Sequence, residues 1–142
     1  MGRLTAWFDL EFARLYTNWR KIVEDLEPEN IYQTSSRGGI SRGEQALRSA
    51  RVVEQTFGGI TANLWDDPFE WTLPENLTTP EKLVEYFDEV ETTRRRGFES
   101  LTTDDDLMKE VMTPAGKMQL ASLFLETLVR ARHHLNAQLQ NP

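Results

Sequence analysis

The stretch Leu4-Thr5-Ala6-Trp7-Phe8-Asp9-Leu10-Glu11-Phe12-Ala13-Arg14-Leu15-Tyr16-Thr17-Asn18-Trp19-Arg20-Lys21-Ile22-Val23-Glu24-Asp25-Leu26 decides the fold class. Its large apolar side chains fall at Leu4, Phe8, Phe12, Leu15, Trp19, Ile22 and Leu26. Steps of three and four place them on one stripe of an α-helix, the pattern of a helix with one buried face. The helix is expected from about Gly2 to Leu26, and Glu27-Pro28-Glu29-Asn30 stops it because proline cannot continue the hydrogen-bond ladder. A Ser- and Gly-rich loop follows, to Gly39.

Outward from this segment the same period recurs three times. Ser41-Arg42-Gly43-Glu44 matches a capping box: the serine hydroxyl accepts an orphan backbone N–H and the glutamate reaches back. Leu47, Ala50, Val53, Phe57, Ile60 and Leu64 continue that helix, with Gly58-Gly59 permitting a kink or a close contact. A third helix starts at Thr78-Thr79-Pro80-Glu81, with threonine as cap and proline in the first turn. Its stripe runs Leu83, Phe87, Val90, Arg94, Phe98, Leu101, so one arginine interrupts an apolar face. A short extra helix is expected at Asp104 to Val111, where the acids complement the helix dipole, and Thr113-Pro114-Ala115-Gly116 reads as a turn. The last helix is expected from Met118 to Leu139 on Leu120, Phe124, Leu128, Ala131, Leu135 and Gln138. Asp66 to Thr79 is the longest connection; its Phe69, Trp71 and Leu73 either pin it to the body or wall a ligand pocket. No stretch alternates with a period of two for long enough to predict a strand. The expected fold class is all-α: one domain over residues 1–142, an up-and-down four-helix bundle.

Composition narrows the function classes. The chain has 142 residues and no cysteine, which excludes disulfides, zinc ribbons and a cysteine nucleophile. Asp and Glu outnumber Lys and Arg by 23 to 16, for a net charge of -7, and this balance repels phosphate backbones; no nucleic-acid partner is expected. Arg94-Arg95-Arg96 spans less than one turn and points in several directions. There is no membrane-length apolar run and no apolar signal core after Met1, so a cytoplasmic protein with no membrane partner is expected. Phosphate-cradling glycine loops, H-E-x-x-H and nucleophile elbows are all missing.

Taken in order, four passages resemble the DinB-like (YfiT-like) superfamily. They are Ser41-Arg42-Gly43-Glu44-Gln45-Ala46-Leu47; Val53-Glu54; Thr79-Pro80-Glu81-Lys82-Leu83 through Phe98-Glu99-Ser100-Leu101-Thr102-Thr103-Asp104-Asp105-Asp106-Leu107; and Arg132-His133-His134-Leu135-Asn136-Ala137-Gln138-Leu139. The resemblance implies a helical bundle that forms homodimers and holds a divalent metal, zinc or nickel, on three histidines. It also implies thiol-linked transferase or isomerase chemistry with a low-molecular-weight thiol, in a family many of whose members are described as damage-inducible, a stress response. Residue by residue, the helix-two ligand position falls at Ser49, five residues before Glu54, and the two last-helix positions fall at Arg130 and His134. Only His134 keeps a ligand side chain, since serine is a poor ligand and arginine stays charged. A shift of one residue would pair Val129 with His133, and the family glutamine would fall at Ala137 where this chain has Gln138 beside it. His133 and His134 are the only histidines, so one chain cannot build a three-histidine site.

The residues leave three accounts of the pocket. In the first, Ser49, Arg130 and His134 are polar residues at a helix seam, paired with carboxylates such as Glu54. In the second, Arg130 and Arg94 supply fixed positive charge near His134 and hold a carboxylate, phosphate or thiolate, with His134 as general acid or base. In the third, His134 holds a metal ion with help from carboxylates such as Glu54 or Glu126, whose oxygens suit a harder ion, or from a partner subunit. The enzyme reading therefore stands beside a non-catalytic binding or interaction module on the same scaffold.

Overall fold

In the computed structural model, which describes residues 1–34, 38–69 and 72–136, most of the chain is helical. Helix α1 spans Arg3–Asp25, α2 Arg42–Ala62, α3 Pro80–Phe98 and α4 Leu120–Leu135. Sequence periodicity predicted all four helices. Ser41 Oγ accepts the Glu44 N–H at 3.1 Å and Thr79 Oγ1 accepts the Lys82 N–H at 3.2 Å, so both hydroxyl caps are formed, but the expected capping box is only half made because Glu44 turns its Oε1 to Arg48 and Arg51. Ala137, Gln138 and Leu139, expected at the end of the last helix, and Trp71 lie outside the described residues.

Each helix sends one phenylalanine to the centre. Phe12, Phe57, Phe98 and Phe124 are at most 4% exposed, and their ring centroids lie 5.0 to 5.9 Å apart. Such aromatic pairs add about 0.5–1.5 kcal/mol each beyond the area they bury. Gly97 lets α3 approach this cluster, because a Cβ there would fall 2.9 Å from the Phe57 ring.

Contacts between helices fix the chain direction. Phe12 meets Phe98 while Trp19 meets Phe87, so α1 and α3 are antiparallel. Phe12 meets Phe57 while Trp19 bonds Ser49, so α1 and α2 are antiparallel too. Phe57 meets Phe98 while Glu54 bonds Tyr86, which makes α2 and α3 parallel. Phe57 meets Phe124 while Val52 and Arg48 share a cleft with Arg130 and His134, so α4 runs against α2. The order is up-down-down-up, not the sequential up-and-down winding expected from the sequence. A parallel α2–α3 pair needs a connection that returns the length of a helix. Residues 63–79 reach on the order of 55 Å when extended, against ~31 Å for the 21 residues of α2.

The all-α expectation needs a second correction between α3 and α4. The expected short helix is a 3-10 turn at Asp104–Met108, and an antiparallel hairpin follows, β1 (Glu110–Thr113) and β2 (Gly116–Gln119). Four-residue strands are too short to show a period of two. Thr113 holds the turn: its hydroxyl accepts the Ala115 N–H at 3.2 Å and donates to the Gly116 carbonyl at 2.7 Å, with Gly116 at φ 116°. The strand β2 takes Met118 and Gln119, so α4 begins at Leu120.

Asp104 caps a helix a hundred residues away. Its carboxylate accepts the Thr5 N–H at 2.9 Å, the Leu4 N–H at 3.1 Å and the Thr5 hydroxyl at 2.9 Å, which satisfies the start of α1 where Gly2 has no side chain to offer. Asp106 caps its own turn by accepting the Thr102 and Thr103 N–H groups at 2.8 and 3.1 Å. Among the described residues no helix is long and apolar enough to cross a membrane.

Candidate functional site

Of the residues singled out in the sequence, Arg130 and His134 come together, with Phe69 at the same cleft, while Ser49, Glu54, Arg94 and Glu126 do not join them. They sit one turn apart on α4 and line a cleft of about 210 Å³ with Arg48, Arg51, Val52 and Gln55 of α2 and Asp67 and Phe69 of the α2–α3 connection. The spacing 48, 51, 55 puts the α2 residues on a single stripe beside the apolar one.

Arg51 is the keystone of this cleft. It is 6% exposed, and its Nε donates to Thr72 Oγ1 at 2.6 Å while one terminal nitrogen donates to the Thr72 carbonyl. The other lies 3.4 Å from Glu44 Oε1, and the guanidinium stacks 5.1 Å from the Phe69 ring centroid. All its donor groups are engaged, so Arg51 anchors the connection and contributes charge. Arg48 uses only its Nε, 3.1 Å from Glu44 Oε1, and leaves its terminal nitrogens to the cleft. The exposed Arg130 guanidinium makes no ion pair among the described residues. Among the described residues Asp67 is the one acid in the lining, and its Oδ1 accepts the Phe69 N–H at 3.1 Å, an Asx turn that sets the ring at the mouth.

His134 is half-buried, and its pKa lies below the ordinary histidine value. Burial is the main cause, followed by the charge of His133 and then of Arg48, Arg130 and Arg51. At neutral pH it therefore presents a neutral imidazole among guanidinium groups.

The remaining expected site residues lie elsewhere. Ser49 is fully buried between α1 and α2, where its Oγ accepts the Trp19 indole N–H at 2.8 Å. Glu54 turns toward α3, and its Oε2 accepts the Tyr86 hydroxyl at 2.7 Å. Burial pushes the Glu54 carboxyl above its ordinary range against the pull of the Tyr86 hydrogen bond; Glu89 adds to the rise. Arg94 does point inward, at 1% exposed, but between α1 and α3: Glu91 takes its Nε and one terminal nitrogen at 2.9 Å each, and Asp9 takes the other. It lines a separate hollow with Asp9, Leu10 and Ala13. Glu126 is exposed on α4.

Sequence reasoning missed Arg48, Arg51, Gln55 and Asp67 as lining residues. The signal available was their polar stripe, but only the α2–α4 pairing says which cleft it faces. A larger hollow, about 870 Å³, is an open groove between the end of α1 and α3, with Glu24, Glu81, Glu85 and Glu89 along it. Those carboxylates read as a solvated helix face.

The zinc or nickel ion that the family resemblance implies does not fit this donor set. Among the described residues no three of His, Asp and Glu converge, and the charges of Arg48, Arg130 and Arg51 that help lower the His134 pKa also repel a divalent cation. Comparison with known proteins gave no match: no family model, no curated protein and no solved structure matches the chain.

Proposed function

We propose that this chain is a small-anion-binding protein on a DinB-like helical bundle, with fixed arginine charge standing where the family resemblance implies a metal. The single observation behind this reading is the charge imbalance of the His134 cleft. Arg48, Arg51 and Arg130 face Asp67 and the flanking Glu44, and the two arginines with free terminal nitrogens are those at the open side. A guanidinium with unused donors in a partly desolvated cleft favours a carboxylate or phosphate oxygen, which it can hold through two parallel bonds.

Two routes stay within this reading. A low-molecular-weight thiol of the kind the resemblance implies would place its carboxylate on the same arginines, and the neutral His134 imidazole would take the thiol proton as a general base. Binding without turnover needs only the arginines. We propose a cytoplasmic homodimer, paired through the flank where Glu11 of α1 bonds Arg132 of α4; the exposed Trp7, Leu125 and Val129 there support this reading.

The test is a titration of the full chain with acetate and with inorganic phosphate, followed by backbone and side-chain NMR. Binding is expected to move the Arg130 and His134 signals, and Arg130→Ala to weaken it by about tenfold, the loss of a charge-assisted hydrogen bond. Absence of any response to either anion up to tens of millimolar sinks the proposal. Metal content of untagged protein is the companion measurement: one tightly held transition ion per chain would restore the metalloenzyme reading.

A further inference from the structure

We infer that the anion held by this cleft is a small planar carboxylate whose unsaturated or aromatic body lies against Phe69, an inference that rests on the anion-binding reading above.

Size comes first. A liquid water takes ~30 Å³, so a cleft of about 210 Å³ has room for the bulk of about seven waters. That suits a compact organic acid held largely within the cleft. Drug-sized ligands occupy pockets that start at ~300 Å³.

Shape comes next. Phe69 is 50% exposed although it stands in a lined cleft, and among the described residues it is the one aromatic carbocycle in the lining. One face of its ring is covered by the Arg51 guanidinium at 5.1 Å. Arg51 is itself fixed by Thr72 and Glu44, and the Phe69 backbone by Asp67, so the ring is held from two sides and cannot relax onto the core. A large apolar surface kept in water by this many polar contacts is a platform in want of a partner. Val52 of α2, 6% exposed, supplies a second apolar wall. A cation on one face of an aromatic ring leaves the opposite face for stacking or edge contact with a planar group.

Charge supplies the other half of the ligand. Arg48 and Arg130 stand on facing helices, so a carboxylate between them receives donors from two directions while its planar body extends toward Phe69. A carboxylate, being flat itself, continues into an aromatic or conjugated body without a tetrahedral centre, whereas a phosphate ester turns at phosphorus. Gln55 is steadied at the cleft by one amide N–H donated to the Trp65 carbonyl at 2.8 Å.

The probe pair is benzoate and cyclohexanecarboxylate, which share a carboxylate and nearly the same size but differ in planarity. Dissociation constants are measured by NMR titration on the full chain, on Phe69→Ala, on Phe69→Tyr and on Arg130→Ala. Benzoate is expected to bind five- to tenfold more tightly than cyclohexanecarboxylate to the native chain. That preference is expected to vanish in Phe69→Ala and to return in Phe69→Tyr, while Arg130→Ala weakens both acids alike. Equal affinity for the two acids, or a benzoate preference that survives Phe69→Ala, overturns the inference and leaves the anion site standing. Failure of both acids and of phosphate to bind overturns the inference together with the reading beneath it.

Discussion

Arg94 and the arginines around His134 occupy opposite flanks of the molecule and answer the same problem in two ways. On the α1–α3 flank a guanidinium 1% exposed is matched by Glu91 on two of its nitrogens and Asp9 on the third. Phe98 covers its face at 5.2 Å. Nothing is left over. On the α2–α4 flank Arg51 is matched in the same manner, but Arg48 and Arg130 add charge that Glu44 and Asp67 do not cancel. A closed set of donors and acceptors stabilises one packing. An open set, held in place by a closed one, is what a binding site requires.

The largest effect that would break this contrast is expected at Arg94. Arg94→Met takes from Glu91, with a side chain 7% exposed, its two-bond partner and leaves only the exposed Arg95, 3.6 Å away. Such a break costs ~3–5 kcal/mol, read as a fall in the urea midpoint with unchanged slope. Replacing Glu91 by Leu in the same chain should recover most of the loss. If Arg94→Met alone costs less than ~1 kcal/mol, the cluster is not the closed structural unit described here.

Ser49→Ala tests a smaller version of the same rule. It removes the acceptor of the Trp19 indole N–H inside the core. An orphaned buried donor costs ~1–3 kcal/mol. The companion Trp19→Phe, which deletes the donor as well, should be less than additive with it in a double-mutant cycle. Additive losses would show that the hydrogen bond carries no energy of its own.

The sequence made the helices legible because their buried faces repeat every three or four residues, and Phe12, Phe57, Phe98 and Phe124 all sat on the predicted stripes. Arg94 was legible as a break in an apolar stripe, though the sequence could not say that its partners are Glu91, one turn back, and Asp9, on another helix. The direction of α3 was not legible: a long connection permits either a parallel or an antiparallel neighbour, and only side-chain contacts such as Glu54 with Tyr86 decide. The hairpin was hidden because each strand is four residues long. At the site, alignment of two family positions pointed to Arg130 and His134, while nothing in the sequence singled out Arg48 and Arg51. Their role depends on α4 lying against α2, a tertiary fact without a local signature. Ser49 was placed in the pocket by motif spacing, and a rotation about the axis of α2 separates it from that cleft.

On the open side the expected energetics reverse. Arg130→Ala should change stability by less than ~0.5 kcal/mol, as for other exposed positions without partners, while removing most of the anion affinity. A loss of several kcal/mol would mean that Arg130 belongs to the closed kind of site after all.

The smallest effect concerns pH, and two carboxyls of opposite sign sharpen it. Asp104 has its pKa held below the ordinary value, first by the Thr5 N–H and then by the Leu4 N–H. A depressed pKa in the folded chain means stability that is present above the unfolded value, ~3.9 for aspartate, and lost as pH falls below it. Glu54 has its pKa raised by burial. A raised pKa means a contribution present below the unfolded value, ~4.3 for glutamate, and lost as pH climbs through the folded value. Glu54→Gln keeps an oxygen for the Tyr86 hydroxyl and removes the titration. Its stability relative to the native chain should therefore improve between pH 4 and pH 7, with no such trend for Asp104→Asn over that range. Asp104→Asn should instead flatten the acid limb below pH 4, since an amide no longer gains a charge that the α1 N-terminus favours. Both trends are read from urea midpoints across the pH series. If Glu54→Gln tracks the native chain throughout, Glu54 is as well solvated as a surface carboxylate, and the cover that the α2–α3 connection gives this side of α2 is looser than its contacts through Arg51 and Trp65 imply.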